Sequence, residues 1–143
     1  MASKKPSIKK TKAKTDVRFV VRKAASGSGH GLFAVVPIKK GAFILEYTGK
    51  KIPTDIADAL TTRYLFHIND KWTIDGSPRS NTARYINHGC DPNCEVEMDG
   101  ERLMIYAIKN IQKGEELSFD YGDEYYDEFI KPIGCKCAAK AHR

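Results

Sequence analysis

The stretch RYINHGCDPNC, residues 84–94, sets an Arg, two Asn, a His and two Cys around a Gly and a Pro. Three chemistries use residues of these types. Thiolates and an imidazole can hold a metal ion, a Cys beside a His can act as a nucleophile with its base, and Asn, Gly and Pro together can simply make a turn. They place different demands on the rest of the chain, so the stretch by itself leaves all three open.

The chain has 143 residues, enough for one domain that buries most of its apolar surface without covalent staples. No apolar run approaches the roughly 18 residues of a membrane span, and the Lys-rich start MASKKPSIKKTKAK has no apolar core segment. Four Cys is far below the density of a disulfide scaffold, and a reducing compartment favours free thiols or metal ligands over bridges. The expectation is a soluble, intracellular protein, in nucleus or chromatin if it works in a eukaryotic cell or host and otherwise in cytoplasm or nucleoid.

The formal charge of +6 is unevenly spread: residues 1–23 carry nine basic residues and one acid, and residues 24–143 carry 15 and 17. The basicity therefore belongs to a tail. Residues 1–16 lack aromatics and apolar periodicity and are expected to be disordered in isolation. A Lys-rich arm such as residues 4–14 can track nucleic-acid phosphates, serve as a localisation signal or aid solubility. The opposite pattern is EELSFDYGDEYYDE, residues 115–128, with seven acids and no base. It is either a solvated edge or a surface that attracts a basic partner.

These groups must be positioned by short strands divided by turns. Residues 17–23, 32–36, 42–47, 64–68, 71–75 and 102–108 are rich in β-branched and aromatic residues. Residues 94–98 and 102–108 flank Asp99 and Gly100, a tight-hairpin signal, and residues 66–74 read as a second hairpin around Asn69 and Asp70. One short helix is expected, capped by Thr54, with Ile56, Ala59 and Leu60 on one face. A faint echo at an offset of 73 relates residues 33–49 to 106–122, with an Ala, an Ile, a Lys and two Gly in register, and reads as one strand, turn and strand device used twice. Gly29, Gly31 and Ala34 formally match a dinucleotide fingerprint, but a strand pattern follows them where that fingerprint needs a helix.

Four blocks in this order and spacing, SGSGHGLF, EYTG, NTARYINHGCDPNC and GEELSFDYG, closely resemble the SET-domain protein lysine methyltransferases. The resemblance covers residues 17–126. It implies a mainly β fold of small antiparallel sheets around a pseudoknot, with few short helices, in which the segment Phe119 to Tyr121 threads beneath a loop holding Asn87 and His88. Residues 127–143 are then a short segment of post-SET type.

The resemblance also implies S-adenosylmethionine as methyl donor and a lysine of a basic protein, with histone tails leading, as acceptor, carried to the di- or trimethyl state. By position, Gly29, His30 and Gly31 should cradle the donor's amino-acid end, and Asn87 and His88 its amino group and adenine, with Arg84 as support behind them. Tyr121 matches the catalytic tyrosine, and Tyr47, Tyr64 and Phe119 match the walls of the lysine channel. The chemistry is sound independently. The methyl on a sulfonium is already electrophilic, so the protein must bring up a neutral amine about 3 Å away. Aromatic walls attract the ammonium and then disfavour it by desolvation. No side chain is an evident general base, so the proton is expected to leave through ordered water. Each tyrosine alone reads as a core aromatic and His88 alone as a structural histidine; the joint pattern points to chemistry.

In relatives with a post-SET segment, C-x-C-x4-C joins the Cys of the N-H-x-C block in binding one structural zinc. Here Cys90, Cys135 and Cys137 match and His142 takes the last position, a ligand set suited to tetrahedral zinc, while Cys94 has no place in it. Two departures stand out: Gly89 replaces the Ser common in N-H-S-C, which is expected to loosen that turn, and the stretch between Gly49 and Tyr64 is short. Two competing classes are a non-catalytic SET-like binding module and a small metal-stabilised DNA-binding protein, for which the near-neutral body lacks a basic recognition helix.

Overall fold

The structure is a computed structural model that describes residues 16–25, 29–60, 62–122, 125–132, 134–135 and 137. The basic arm, Asp123, Glu124 and His142 lie outside the described residues.

Ten short strands, one helical turn of α type, a 3₁₀ turn and a π-helical turn make up the described chain. Strands β1 (Phe19–Lys23) and β2 (His30–Ala34) pair antiparallel. Strands β3 (Phe43–Tyr47), β8 (Cys94–Asp99) and β9 (Arg102–Ala107) form a sheet of order β3-β9-β8, and β4 (Lys50–Pro53), β5 (Leu65–His67) and β6 (Trp72–Asp75) form one of order β4-β6-β5. Both are antiparallel. The two-residue strands β7 (Asn87–His88) and β10 (Ser118–Phe119) pair parallel, Ser118 opposite Asn87 and Phe119 opposite His88. This pairing lies where the resemblance places the threaded segment. The small antiparallel sheets and scarce helix agree with the expected fold class.

Alternation makes one face of each sheet apolar. On β9, Leu103, Ile105 and Ala107 are buried while Arg102 is exposed. They join Leu32, Ile44, Ile86, Ile111 and Leu117 in one core beneath the three-stranded sheet, where burial of each large side chain contributes about 1.5–3 kcal/mol.

The sequence echo is physical. Ile38 and Ile111, equivalent positions, bond to each other through both N–H groups at 2.8 Å. The Gly41 N–H donates to Ala107 O at 2.8 Å and the equivalent Gly114 N–H to Ala34 O at 2.7 Å; Ala107 N–H donates to Ala42 O and Ala34 N–H to Glu115 O, both at 2.9 Å. Each bond has its partner with the two copies exchanged, so the device packs on itself about a local two-fold. Its consequence for the site is that one copy delivers β3 and Tyr47, and the other delivers β10, Phe119 and Tyr121.

Three expectations need correction. The helix spans only Thr54–Ala57, Pro53 stands at its N-cap, and the Thr54 hydroxyl donates to Asn69 O at 2.9 Å and meets Thr73 Oγ1 at 3.0 Å. Thr54 therefore ties the turn to the β5–β6 hairpin instead of capping it. Ala57 is the buried apolar residue, and Ile56 and Leu60 are 56% and 45% exposed. The first hairpin turns one residue later than expected: Asp99 pairs with Arg102, so Gly100 and Glu101 form the loop, with Gly100 at φ 66°. The second hairpin forms, also one residue out of the expected register: His67 pairs with Thr73 and the Ile68 N–H donates to Trp72 O at 3.0 Å, so Asn69, Asp70 and Lys71 make the loop. Strand β4 gave no sequence signal, because KKIP carries two Lys and a Pro; it is an edge strand, where such residues are tolerated.

Candidate active site

Two cavities meet beside the β7–β10 pair. The larger, about 940 Å³, is lined by Gly29, His30, Asn87, His88 and Glu116 among others. The smaller, about 420 Å³, is lined by Tyr47, Phe66, Phe119 and neighbours. They share a wall of Arg63, Tyr64, Arg84, Tyr121, Tyr125 and Phe129. The candidate donor residues other than Gly31 thus line one cavity and the candidate channel residues line the other, with Tyr64, Arg84 and Tyr121 common to both.

The smaller cavity is walled by a chain of rings. Tyr47 lies 5.4 Å from Phe66, Phe66 lies 6.3 Å from Phe119, Phe119 lies 4.9 Å from Tyr121, and Tyr121 meets Tyr125 edge-on at 4.7 Å. Tyr125 continues to Phe129 at 4.8 Å. The Tyr47 hydroxyl donates to Tyr64 O at 2.8 Å, and the Tyr121 hydroxyl donates to Ile86 O. Burial, and then neighbouring Tyr125, holds both hydroxyls well above the usual phenol pKa. They therefore remain protonated at neutral pH, each proton committed to a carbonyl, with oxygen lone pairs left to accept.

Arg84 sits at the shared wall. Its guanidinium lies 4.2 Å from the Tyr64 ring centre and 5.1 Å from that of Tyr85, and Nη1 donates to Tyr85 Oη at 3.1 Å. Its Nε is buried without a hydrogen-bond partner. A buried donor in this state is poised for an acceptor entering either cavity.

In the larger cavity Asn87 Nδ2 donates to His30 O at 2.8 Å and to Glu116 Oε2 at 2.9 Å. Gly31 makes this possible, because a Cβ there would lie 2.3 Å from Glu116 Oε2. His88 points elsewhere: Nδ1 accepts the Tyr121 backbone N–H at 3.1 Å, and Nε2 lies 3.4 Å from Cys90 Sγ. With Nδ1 accepting, the neutral ring carries its proton on Nε2. The His88 side chain therefore ties the threaded segment to β7.

A family model for the SET domain matches residues 29–122, about two thirds of the chain. The chain belongs to the SET-domain family. It is 37% identical over 141 aligned positions, 90% of its length, to a histone-lysine N-methyltransferase, H3 lysine-4 specific, of Emericella nidulans, and 37% identical over 123 positions, 78% of its length, to the histone-lysine N-methyltransferase trr of Drosophila melanogaster. It spans only 11% and 5% of those proteins. Among solved structures, a humanized mutant of the Chaetomium thermophilum Polycomb Repressive Complex 2 bound to the inhibitor GSK126 superposes with a TM-score of 0.64 at 34% identity, over 73% of this chain and 15% of that one.

In this SET domain the described candidate zinc residues, Cys90, Cys135 and Cys137, lie together. Cys90 Sγ lies 3.7 Å from Cys135 Sγ, and the Cys90 N–H donates to Cys137 Sγ at 3.4 Å. The ligand-type atoms of His88, Cys90 and Cys135 all lie within 4.8 Å of one another. Two thiols from residues 45 apart at such spacing, with the Cys137 thiol beside the Cys90 backbone, fit a tetrahedral thiolate site. A backbone N–H and the His88 Nε2–H aimed at sulfur are the hydrogen bonds that steady metal-bound thiolates. Cys94 stands apart, fully buried, its thiol pushed up to about 12 by burial.

The Ser-to-Gly departure has a structural counterpart. A Cβ on Gly89 would lie 2.7 Å from both Cβ and Oγ of Ser118, so the space beside residue 89 is already occupied from β10. The turn is therefore filled, not loosened.

Sequence reasoning singled out neither Phe66, Tyr125 and Phe129 as channel wall nor Glu116 as partner of Asn87. Phe66 carries only a strand signal in the sequence, and the spacing of Tyr125 and Phe129, four apart, is the available helical signal. Of the acidic stretch, Glu115 and Glu116 line the larger cavity, whereas the acid that lines the smaller one among the described residues is Asp58, from outside that stretch.

Proposed function

We propose that this SET domain is a protein lysine methyltransferase that uses S-adenosylmethionine in the larger cavity and takes a substrate lysine through the smaller one. The observation that carries the reading is the shared wall: the residues expected for donor and acceptor line two cavities that meet at Tyr64, Arg84 and Tyr121. When bound, the donor supplies an electrophilic methyl on a sulfonium.

The chain's own residues supply the rest. Asn87 Oδ1 accepts from the donor's amino group, the backbone at Gly29 and His30 lies along its amino-acid end, and Arg84 supplies a donor for its carboxylate. The rings from Tyr47 to Tyr125 attract the entering ammonium, exclude water and so favour its neutral form. The Tyr47 and Tyr121 oxygens, with protons already committed, accept from the amine and hold it in line. Positioning of this kind is the main task when the electrophile is already activated.

Phe119, 4% exposed, adds no hydroxyl to hold a water beside the amine, which supports di- or trimethylation. The names of the relatives support a histone tail as acceptor and hence a chromatin setting, with residues 4–14 available to nucleic acid. Zinc at Cys90, Cys135, Cys137 and His142 would pin the C-terminal segment against the larger cavity, which Cys135 and Cys137 line.

Calorimetry with S-adenosylmethionine together with transfer of a labelled methyl group to histones tests the reading. Binding with transfer supports it; binding without transfer would mark a non-catalytic module, and no binding would reject both.

A further inference from the structure

The larger cavity contains an amide whose orientation is fixed by the protein before any ligand arrives. Both hydrogens of Asn87 Nδ2 are used, one on His30 O at 2.8 Å and one on Glu116 Oε2 at 2.9 Å. Both partners are oxygens that can only accept, so a flipped amide would set oxygen against oxygen twice. Among the described residues no protein group bonds Asn87 Oδ1, which leaves that oxygen to accept from a ligand's N–H. The second carboxylate oxygen, Glu116 Oε1, accepts the Ala25 N–H at 3.0 Å. Ala25 and Gly29 both line the cavity, so one carboxylate ties its strand-end rim to the amide across from it. The absence of a side chain at Gly31 is what admits that carboxylate.

We propose that Glu116 is the positioning residue of the donor site: it holds Asn87 with Oδ1 presented to the donor's α-ammonium, and thereby sets recognition of that group separately from the chemical step. The inference rests on the donor reading of the larger cavity. Glu116→Gln keeps one acceptor oxygen for two N–H donors. Either Asn87 or Ala25 then faces an NH₂ group, and the amide is released to turn.

The test is calorimetric binding of S-adenosylmethionine and of its analogue lacking the α-amino group. Wild type should prefer the amino-bearing compound by about tenfold or more, the ratio expected for a charge-assisted hydrogen bond, and Glu116→Gln should reduce that preference to about twofold. Glu115→Gln is the control. It removes the same charge from the same cavity, but its carboxylate accepts from Gln112 N–H and touches neither Asn87 nor Ala25, so the preference should persist. Should Glu116→Gln fail to fold, Glu116→Asp keeps the charge on a stem too short to reach both partners and should show the same loss. In turnover, Glu116→Gln should raise the donor KM while kcat at saturating donor changes little; a merely structural role would lower kcat as well and depress the melting temperature. A wild type that prefers the amino-bearing donor together with a Glu116→Gln that prefers it equally would overturn the inference and leave the donor reading intact. A wild type without any preference would overturn the donor reading itself, and the inference with it.

Discussion

Replacing Gly89 by Ser, which restores the N-H-S-C form common in the family, should destabilise this chain. Gly89 is buried between β7 and the candidate zinc thiol, and its N–H donates to Phe119 O at 3.1 Å. An added Cβ would approach the Cβ and Oγ of Ser118 to 2.7 Å, more than 0.5 Å inside normal carbon contact of about 3.5–4.0 Å. Rotating Ser118 cannot relieve the Cβ contact. The Ser118 backbone cannot drift either, since its N–H donates to Asn93 Oδ1 at 2.9 Å and its strand pairs with Asn87. The β7–β10 pair must therefore part slightly, an overpacking cost of about 1–3 kcal/mol. Urea unfolding measures it, and Ser118→Gly supplies the second arm of a double-mutant cycle, because only loss of that Cβ makes room. Ser118→Gly alone should cost about 0.5–1 kcal/mol for glycine in a strand. Added to Gly89→Ser it should recover most of the loss, a coupling of about 1–2 kcal/mol. Unchanged stability in Gly89→Ser, or additive losses in the double variant, would refute the reasoning.

Phe119→Tyr should shift products towards monomethyl-lysine, read as intact peptide mass, because a hydroxyl between Tyr121 and Phe66 would hold a water where a second methyl must fit; an unchanged distribution would count against the channel assignment. The purified chain should contain a single zinc, lost in Cys90→Ser and weakened in His142→Ala by metal analysis. Burial, with neighbouring thiols adding to it, pushes the Cys135 thiol up to about 12, so in the metal-free chain the protonated form dominates at neutral pH and metal must displace its proton. Zinc affinity should accordingly rise with pH and fall on acidification, and competition with a chelator between pH 6 and 8 that showed no pH dependence would exclude thiolate ligation.

The sequence was most legible where signals were local. The Gly100 hairpin, the β5–β6 hairpin and the strands of the core follow from β-branched runs and turn residues, and the repeated device around Ile38 and Ile111 was visible as an echo because both copies keep the residues that make the same bonds. The site residues were legible only through the resemblance, since Asn87 and Tyr121 are 34 positions apart and are brought together by a parallel pair two residues long. Contacts of that kind leave no periodicity to read. The same reason hid Glu116, which reads as one acid among seven until Gly31 and Asn87 are placed beside it. The short helix was misoriented because Ile56 and Leu60 suggested an apolar face, whereas the hydroxyl of Thr54 found partners on the β5–β6 hairpin and turned Ala57 inward.

The most direct measurement is the mass of a lysine-containing histone-tail peptide after incubation with S-adenosylmethionine and either wild type or Tyr121→Phe. The substitution removes the hydroxyl that binds Ile86 O and lines both cavities, and should lower the rate by about 10²–10³ while the fold persists. Successive methyl additions on the lysine with wild type, and their near-absence with Tyr121→Phe, are the predicted result. Equal methylation by both proteins, or no methylation of any basic peptide by a wild type that binds the donor, would contradict the account.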